Sequence, residues 1–378
     1  MIVNLRLMRC NVTRRVAIAA SLCLGIGGAI ASAADVDIHQ LQKAAELGYV
    51  AKEVELAGDY YMGRGVPEDA RMAAYWYRKA AESGDPEAEN EIGFLYQTGV
   101  GVELDLDRAL HWYQLSAASG LALAKVNLGV MYVRGIGVPK NELLGAQLFK
   151  EAAAKGSGVA ASYLGDMYYS GVGMKQDKAA AEAWFETGVK MHDPMAEFQM
   201  ASLLSAGQDH AHDLSKAAKL LRQSAAAGFV PAMQALGLLL TNHPELADSR
   251  EEARPLLEVA ANAGSWKSSV VLGILARDGL GDLPGPEAAY YHFQIAILQG
   301  GEPAKDLLSN DMIALTGKLD EQRRAALTSK AASWFSEHKT VAIFVFKDSK
   351  YAKRFPASAL AAPQNGAYAG ILQPAPAS

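Results

Sequence analysis

Cysteine is almost missing from this 378-residue chain: only Cys10 and Cys23 occur, and both lie among the first 33 residues. Beyond that stretch no disulfide can form, so the fold must be held by packing. The same 33 residues contain no Asp or Glu. They hold Arg6, Arg9, Arg14 and Arg15, the apolar run Val16 to Ile30, and then Ala31-Ser32-Ala33. A basic start, an apolar middle and a small-x-small end make a signal-peptide pattern, cleaved near Ala33. The fifteen residues of the run rise only about 22 Å as a helix, short of a bilayer core. The mature chain is therefore expected to be periplasmic or secreted, with no stable membrane insertion after cleavage. Arg14-Arg15 leaves both general secretion and twin-arginine export open.

Cleavage would leave 32 basic against 41 acidic residues, a net charge of −9 where the full chain carries −5. Phosphates are held by clustered Lys and Arg, so nucleic acid is not an expected partner. The sequence also lacks a P-loop, a nucleophile elbow and a His-Glu-x-x-His pair. Two imidazoles and two carboxylates do crowd into Asp209-His210-Ala211-His212-Asp213, but the spacing fits no standard zinc site and reads as a polar loop. No catalytic residue, cofactor or metal is assigned, and the chain is read as a non-enzyme.

What is present is a period of 36 residues. Gly93, Gly129, Gly165, Gly237 and Gly273 fall on one ladder, with Ala57 and Ala201 on its remaining steps. Five positions earlier stands a small residue (Ala88, Ala124, Ala160, Ala196, Ala232, Ser268), followed at helical spacing by Ile92, Leu128, Leu164, Met200, Leu236 and Leu272. Paired glycines such as Gly99-x-Gly101 and Gly135-x-Gly137 then break the helix. A second helix is marked by Ala73, Ala109, Ala181, Ala217, Ala253 and Ala289, each followed by a bulky pair, for example Trp76-Tyr77, Trp112-Tyr113 and Trp184-Phe185. Small residues beside large ones let two helices approach closely, and these pairs are read as core. Each unit closes on a glycine expected to cap the helix in the left-handed region: Gly84, Gly120, Gly156, Gly228, Gly264 or Gly300, with His192 the exception.

The pattern Ala-x-x-x-Leu-Gly-x-x-Tyr-x-x-Gly-x-Gly-Val, then Ala-x-x-Trp-Tyr-x-x-Ala-Ala-x-x-Gly, resembles the Sel1-like repeat, a relative of the tetratricopeptide repeat. The resemblance covers about two thirds of the chain. Ser205 to Asp209 and Thr241 to Pro244 depart from it, because they lack the paired-glycine loop. Helix pairs of this kind bury their apolar faces only by stacking. The expected fold is all-α: a right-handed α-solenoid of about seven helix-turn-helix units over 49–300. A capping helix is expected at 34–48, capping helices at 301–338, and a short apolar segment with a disordered Ala/Pro-rich tail at 339–378.

The resemblance implies that the first helices line a concave face. Carried over by register, that face presents Tyr61, Phe94, Gln97, Val130, Val133, Asp166, Tyr169 and Phe198 as a protein-binding groove. The alternative that several of these turn inward stays open. Exported members of the family serve as adaptors, so the resemblance implies a scaffold that binds a protein or peptide in envelope signalling or assembly. The competing reading is a penicillin-binding or β-lactamase-like activity, as described for cysteine-rich relatives whose disulfides this chain cannot make. A third reading is that Val341 to Phe346 docks as a regulatory plug, on the chain's own groove or on a neighbouring molecule. The sequence assigns no oligomeric state.

Overall fold

The computed structural model describes residues 38–206, 213–243, 245–246, 249–279 and 285–338. Within them are 17 helices, here numbered in chain order, and no strand. The first is α1, Ile38–Glu46; then come α2 Val50–Met62, α3 Ala70–Glu82, α4 Pro86–Thr98, α5 Leu106–Ala118 and α6 Ala122–Arg134. They continue as α7 Glu142–Ala154, α8 Gly158–Ser170 and α9 Lys178–Lys190. These nine belong to one compact unit, which ends at Met191.

A second unit begins at His192. It holds α10 Pro194–Ala206, α11 Leu214–Ala226, α12 Val230–Asn242, α13 Ser249–Asn262, α14 Trp266–Arg277, α15 Pro286–Gly300, α16 Glu302–Thr316 and α17 Glu321–His338. Inside each unit a helix packs on the one before it and the one after it. The order changes only at the end of the second unit, where α17 packs on α15. The stretch 1–33, expected to be a signal peptide, the His210/His212 cluster and the 339–378 tail, with its Val341 to Phe346 segment, lie outside the described residues.

The ladder glycine decides how the two helices of a repeat fit. A Cβ placed on Gly129 would stand 2.5 Å from the Phe149 ring, on Gly165 2.4 Å from Phe185, and on Gly273 2.3 Å from Phe293. Gly93 meets Tyr113 at 3.0 Å in the same way. The ring always comes 20 residues after the glycine and is buried; Phe149, Phe185 and Phe293 are at most 1% exposed. Close packing of this kind leaves no room for a methyl group. In the sixth repeat Leu257 replaces the ring against Gly237, at 2.6 Å from a Cβ.

Helix boundaries follow from capping. Asp69, Asp105, Asn141, Asp177 and Asp213 each precede a second helix and accept a hydrogen bond from a backbone N–H of its first turn. Asp85 does the same before Pro86, its Oδ1 2.8 Å from the Ala88 N–H. At the closing turns Gly84, Gly120, Gly156, Gly228 and Gly264 are left-handed, as expected. Gly300 is not: it lies within α15, where a Cβ would meet Trp266 at 2.8 Å, and Gly301 takes the positive φ of +62°. His192, standing where the other units have glycine, is forced to φ +55°; it is the one non-glycine residue with positive φ among the described residues.

The second glycine of each loop joins one repeat to the next. A Cβ on Gly101 would stand 2.0 Å from the Ala70 carbonyl oxygen, one on Gly137 2.6 Å from Leu106 Cβ, and one on Gly173 2.5 Å from Glu142 Cβ. Ala70, Leu106 and Glu142 are the first residues of α3, α5 and α7, so each loop presses on the preceding second helix. Gly65, the first of this series, meets nothing within 4 Å. All four share a φ near +70°. Gly65→Ala should then cost only the left-handed strain, about 1–2 kcal/mol, whereas Gly101→Ala should cost at least twice that through added overpacking. Urea denaturation of the two variants measures the difference; equal costs would contradict inter-repeat nesting at the loop.

Candidate functional site

The first helices of the unit ending at Met191 carry two rows of residues spaced by the 36-residue period: Tyr61, Gln97, Val133 and Tyr169, and beside them Phe94, Val130 and Asp166. All seven are half-buried. Part of that burial is internal to the repeat. Val130 and Val133 pack on the cluster around Val126 and Phe149, and Val133 Cγ2 fills the space left by Gly145 on α7. The Tyr113 hydroxyl, on a fully buried side chain, donates to Gln97 Oε1 at 2.8 Å. Tyr61, Phe94, Asp166 and Tyr169 are half-buried to the same class, and Tyr61 and Asp166 too have interaction partners.

Phe198 requires a correction. It belongs to neither row but to a third series, Val54, Asn90, Val126, Ser162 and Phe198, of which the last four are buried. The ring is 2% exposed and packs edge-on against Phe229, with centroids 5.6 Å apart. In α10 the residues that stand in the two rows, Ser202 and Ser205, are buried as well, so this helix presents neither row to the outside.

Another series shows how the repeats exchange charges. Position 53 and its equivalents hold Glu53, Glu89, Lys125, Ala161 and Glu197; 26 residues after each stands Lys79, Leu115, Glu151, Thr187 or Gln223. In the first repeat Lys79 Nζ lies 2.8 Å from the buried Glu53 carboxylate, donates to the Ala45 carbonyl, and sits 4.9 Å over the Trp76 ring. In the third the signs are reversed, and Lys125 pairs with Glu151, whose carboxyl is thereby held below the usual range. The second repeat has no lysine at this position: Leu115, 39% exposed, occupies its place. Glu89 is left with a buried Oε2 that has no hydrogen-bond partner. Burial, aided by Asp85, pushes its carboxyl up, and His111 is the group that draws it down. Glu197 is likewise pushed up to about 7 by burial and by Asp193.

A cavity of about 170 Å³ opens between α3, α4 and the loop that follows α4. Its floor is Ala74, Ile92 and Tyr96, its wall Gly101 and Val102, and its rim Arg71, Tyr75 and Arg78 of α3. The rim residues at i, i+4 and i+7 share one helix face. Tyr75 is 46% exposed. Arg108, across the floor, donates to the Tyr96 hydroxyl at 3.3 Å and stands 5.4 Å from its ring. Reading for repeats missed this site because the period draws attention to residues that recur, and the rim lies at positions that do not.

No group of three or more His, Cys, Asp or Glu able to hold a metal occurs among the described residues. Asp213, the described end of the Asp209 to Asp213 cluster, caps α11 by accepting from the Lys216 N–H. No helix among the described residues is long and apolar enough to cross a membrane.

Comparison with known proteins places these features. The Sel1 repeat family model matches residues 54–85, 86–121, 122–157, 158–192, 194–229 and 271–301, more than half of the chain. Residues 230–270, with the departing loop at Thr241 to Pro244, are not matched. The structure of a Sel1 repeat protein from Oxalobacter formigenes is 26% identical, with a TM-score of 0.53 over 60% of this chain and 96% of that one. A protective antigen of uropathogenic Escherichia coli strains, described as having an SLR fold, is 22% identical over 81% of this chain and 82% of that one, with a TM-score of 0.45. DAP3-binding cell death enhancer 1 of Mus musculus is 37% identical over 93 residues, 25% of this chain and 18% of that protein. The chain thus spans less than a fifth of the length of this curated relative. The fold is an all-α repeat solenoid, and none of these comparisons supports a penicillin-binding or β-lactamase-like activity.

The unpaired Glu89 yields a test. By the register of Glu53 with Lys79, Leu115→Lys should supply the missing lysine and raise stability by about 1–2 kcal/mol at pH 8. A carboxyl whose folded-state value is raised stabilises the fold when protonated and loses that contribution as pH rises. The gain from the lysine should therefore shrink toward pH 4 as Glu89 takes up its proton. Thermal melts at both pH values measure it; a gain independent of pH would contradict the pairing.

Proposed function

Because the chain belongs to the Sel1 repeat family, whose members are generally protein–protein interaction scaffolds, we propose that it is an exported scaffold. Its partner is a protein or an extended peptide, bound along the first-helix rows of the unit ending at Met191. The observation that carries this reading is the half-buried set Tyr61, Phe94, Asp166 and Tyr169, members of two rows that keep the repeat period on first helices packed from behind against their second helices. Rigid, preformed rows order a partner without ordering themselves, which lowers the entropic cost of binding. Aromatic side chains supply large contact area with few rotatable bonds.

Export follows from the basic start, the apolar run and the Ala31-Ser32-Ala33 site. It places the partner in the cell envelope or outside the cell, with signalling or assembly of the envelope as the setting. The net negative charge of the chain disfavours phosphate backbones as ligands.

Proximity crosslinking in the producing bacterium, with export read by N-terminal sequencing of the purified chain, tests the whole reading. The unaltered chain should begin after Ala33 and capture a defined protein. Phe94→Asp with Tyr169→Asp should fold normally and lose that protein at least tenfold. Retention of the partner by the double variant would overturn the face, and an intact N-terminus in a cytoplasmic chain would overturn the export.

A further inference from the structure

Part of the lining of the cavity bounded by Arg71, Tyr75 and Arg78 follows the repeat, since Ile92, Tyr96 and Val102 are followed one period later by Leu128, Tyr132 and Val138, whereas Ala74 is followed by Leu110. That part is a product of the repeat. The rim is not. Where the first repeat has Arg71, Tyr75 and Arg78, the second has Asp107, His111 and Gln114, and the third Leu143, Gln147 and Lys150, all of them exposed. This groove therefore carries two guanidiniums astride an exposed ring, on a chain whose net charge is −5. Arg71 has no ion-pair partner among the described residues, and Arg78 reaches Glu82 only at 3.7 Å, with both side chains exposed. A pair so long and so open contributes little, which leaves both cations available.

From this we infer that the first inter-repeat groove is a second binding site, and that it takes an acidic peptide segment with a carboxylate on each side of one apolar side chain. The inference rests on the reading of the chain as a protein-binding scaffold and adds a partner class to it. Arginine presents a planar fork that matches a carboxylate with two parallel hydrogen bonds. Seven helical residues separate the two forks by about 10 Å along α3. Acidic residues three apart in an extended polyproline-type segment are separated by about 9 Å and lie on one side of it. The intervening apolar side chain would enter the cavity over Ile92 and against the Tyr75 ring.

The test is a fluorescence-anisotropy titration of the full-length chain with a labelled hexapeptide, two glutamates flanking a Pro-Phe core with glycine at either end. Binding should weaken at high salt. It should fall at least tenfold with Arg71→Glu and Arg78→Glu together, with Tyr75→Ala, and with the peptide in which glutamine replaces both glutamates. Helical content and melting temperature measured alongside establish that the variants are folded. No binding by the unaltered chain, or binding unchanged by the arginine reversal or by the neutral peptide, would overturn the site. In the arginine-reversed chain, loss of this peptide with retention of the captured partner separates the two sites; a Phe94→Asp, Tyr169→Asp chain that keeps both the partner and the peptide would leave the groove standing and the face fallen.

Discussion

Everything in this molecule depends on a ring that has nowhere to go except onto a glycine. Phe149, Phe185 and Phe293 lie so close to Gly129, Gly165 and Gly273 that one added carbon would overlap the ring. That contact fixes the distance between the two helices of a repeat, and burial of each ring stabilises the pair by roughly 2–3 kcal/mol. Three repeats vary the solution, one of them by placing Leu257 against Gly237. In the first, Ala57 fills the ladder position, and Tyr77 instead approaches Gly58, whose Cβ would lie 3.5 Å from the tyrosine hydroxyl. In the fifth, Ala201 faces the register of Leu221, so a methyl is added and a ring removed together.

A second, weaker constraint operates between repeats. Loop glycines at 101, 137 and 173 let the chain touch the start of the preceding second helix, whereas Gly65 meets nothing within 4 Å among the described residues. Stacking is then a nearest-neighbour property, and positions outside these contacts are free to differ from one repeat to the next. Function resides in that freedom. The Glu53–Lys79 pair, its reversal at Lys125–Glu151 and its loss at Glu89 show one column varied three ways without a change of backbone. The cationic rim at Arg71 and Arg78 is another such variation, directed outward.

Repeat length, helix pairing and the buried ring positions were legible in the sequence because they recur, and recurrence at a helical period has few physical causes. Glycine closures were legible for the same reason, except at Gly300, where contact with Trp266 outweighed the capping role. Side-chain direction was harder. Phe198 looks like a surface aromatic until its column is followed back through Ser162, Val126 and Asn90, which all face inward. The absorption of Gln97 by Tyr113 and of Val133 by Gly145 depends on partners in another helix, which no single-helix pattern reveals. The Arg71 groove was invisible because it joins non-recurring residues of one repeat to the floor of the next.

The glycine–ring contact is tested most directly by a double-mutant cycle at Gly129 and Phe149, read by urea denaturation of the full chain. Gly129→Ala alone should cost about 2–4 kcal/mol through overpacking. In the presence of Phe149→Leu, which recreates the pairing of Ala201 with Leu221, most of that cost should vanish, giving a coupling of at least about 1 kcal/mol. Additive costs would mean that the ring and the glycine do not set each other's place, and the account of the repeat would fail.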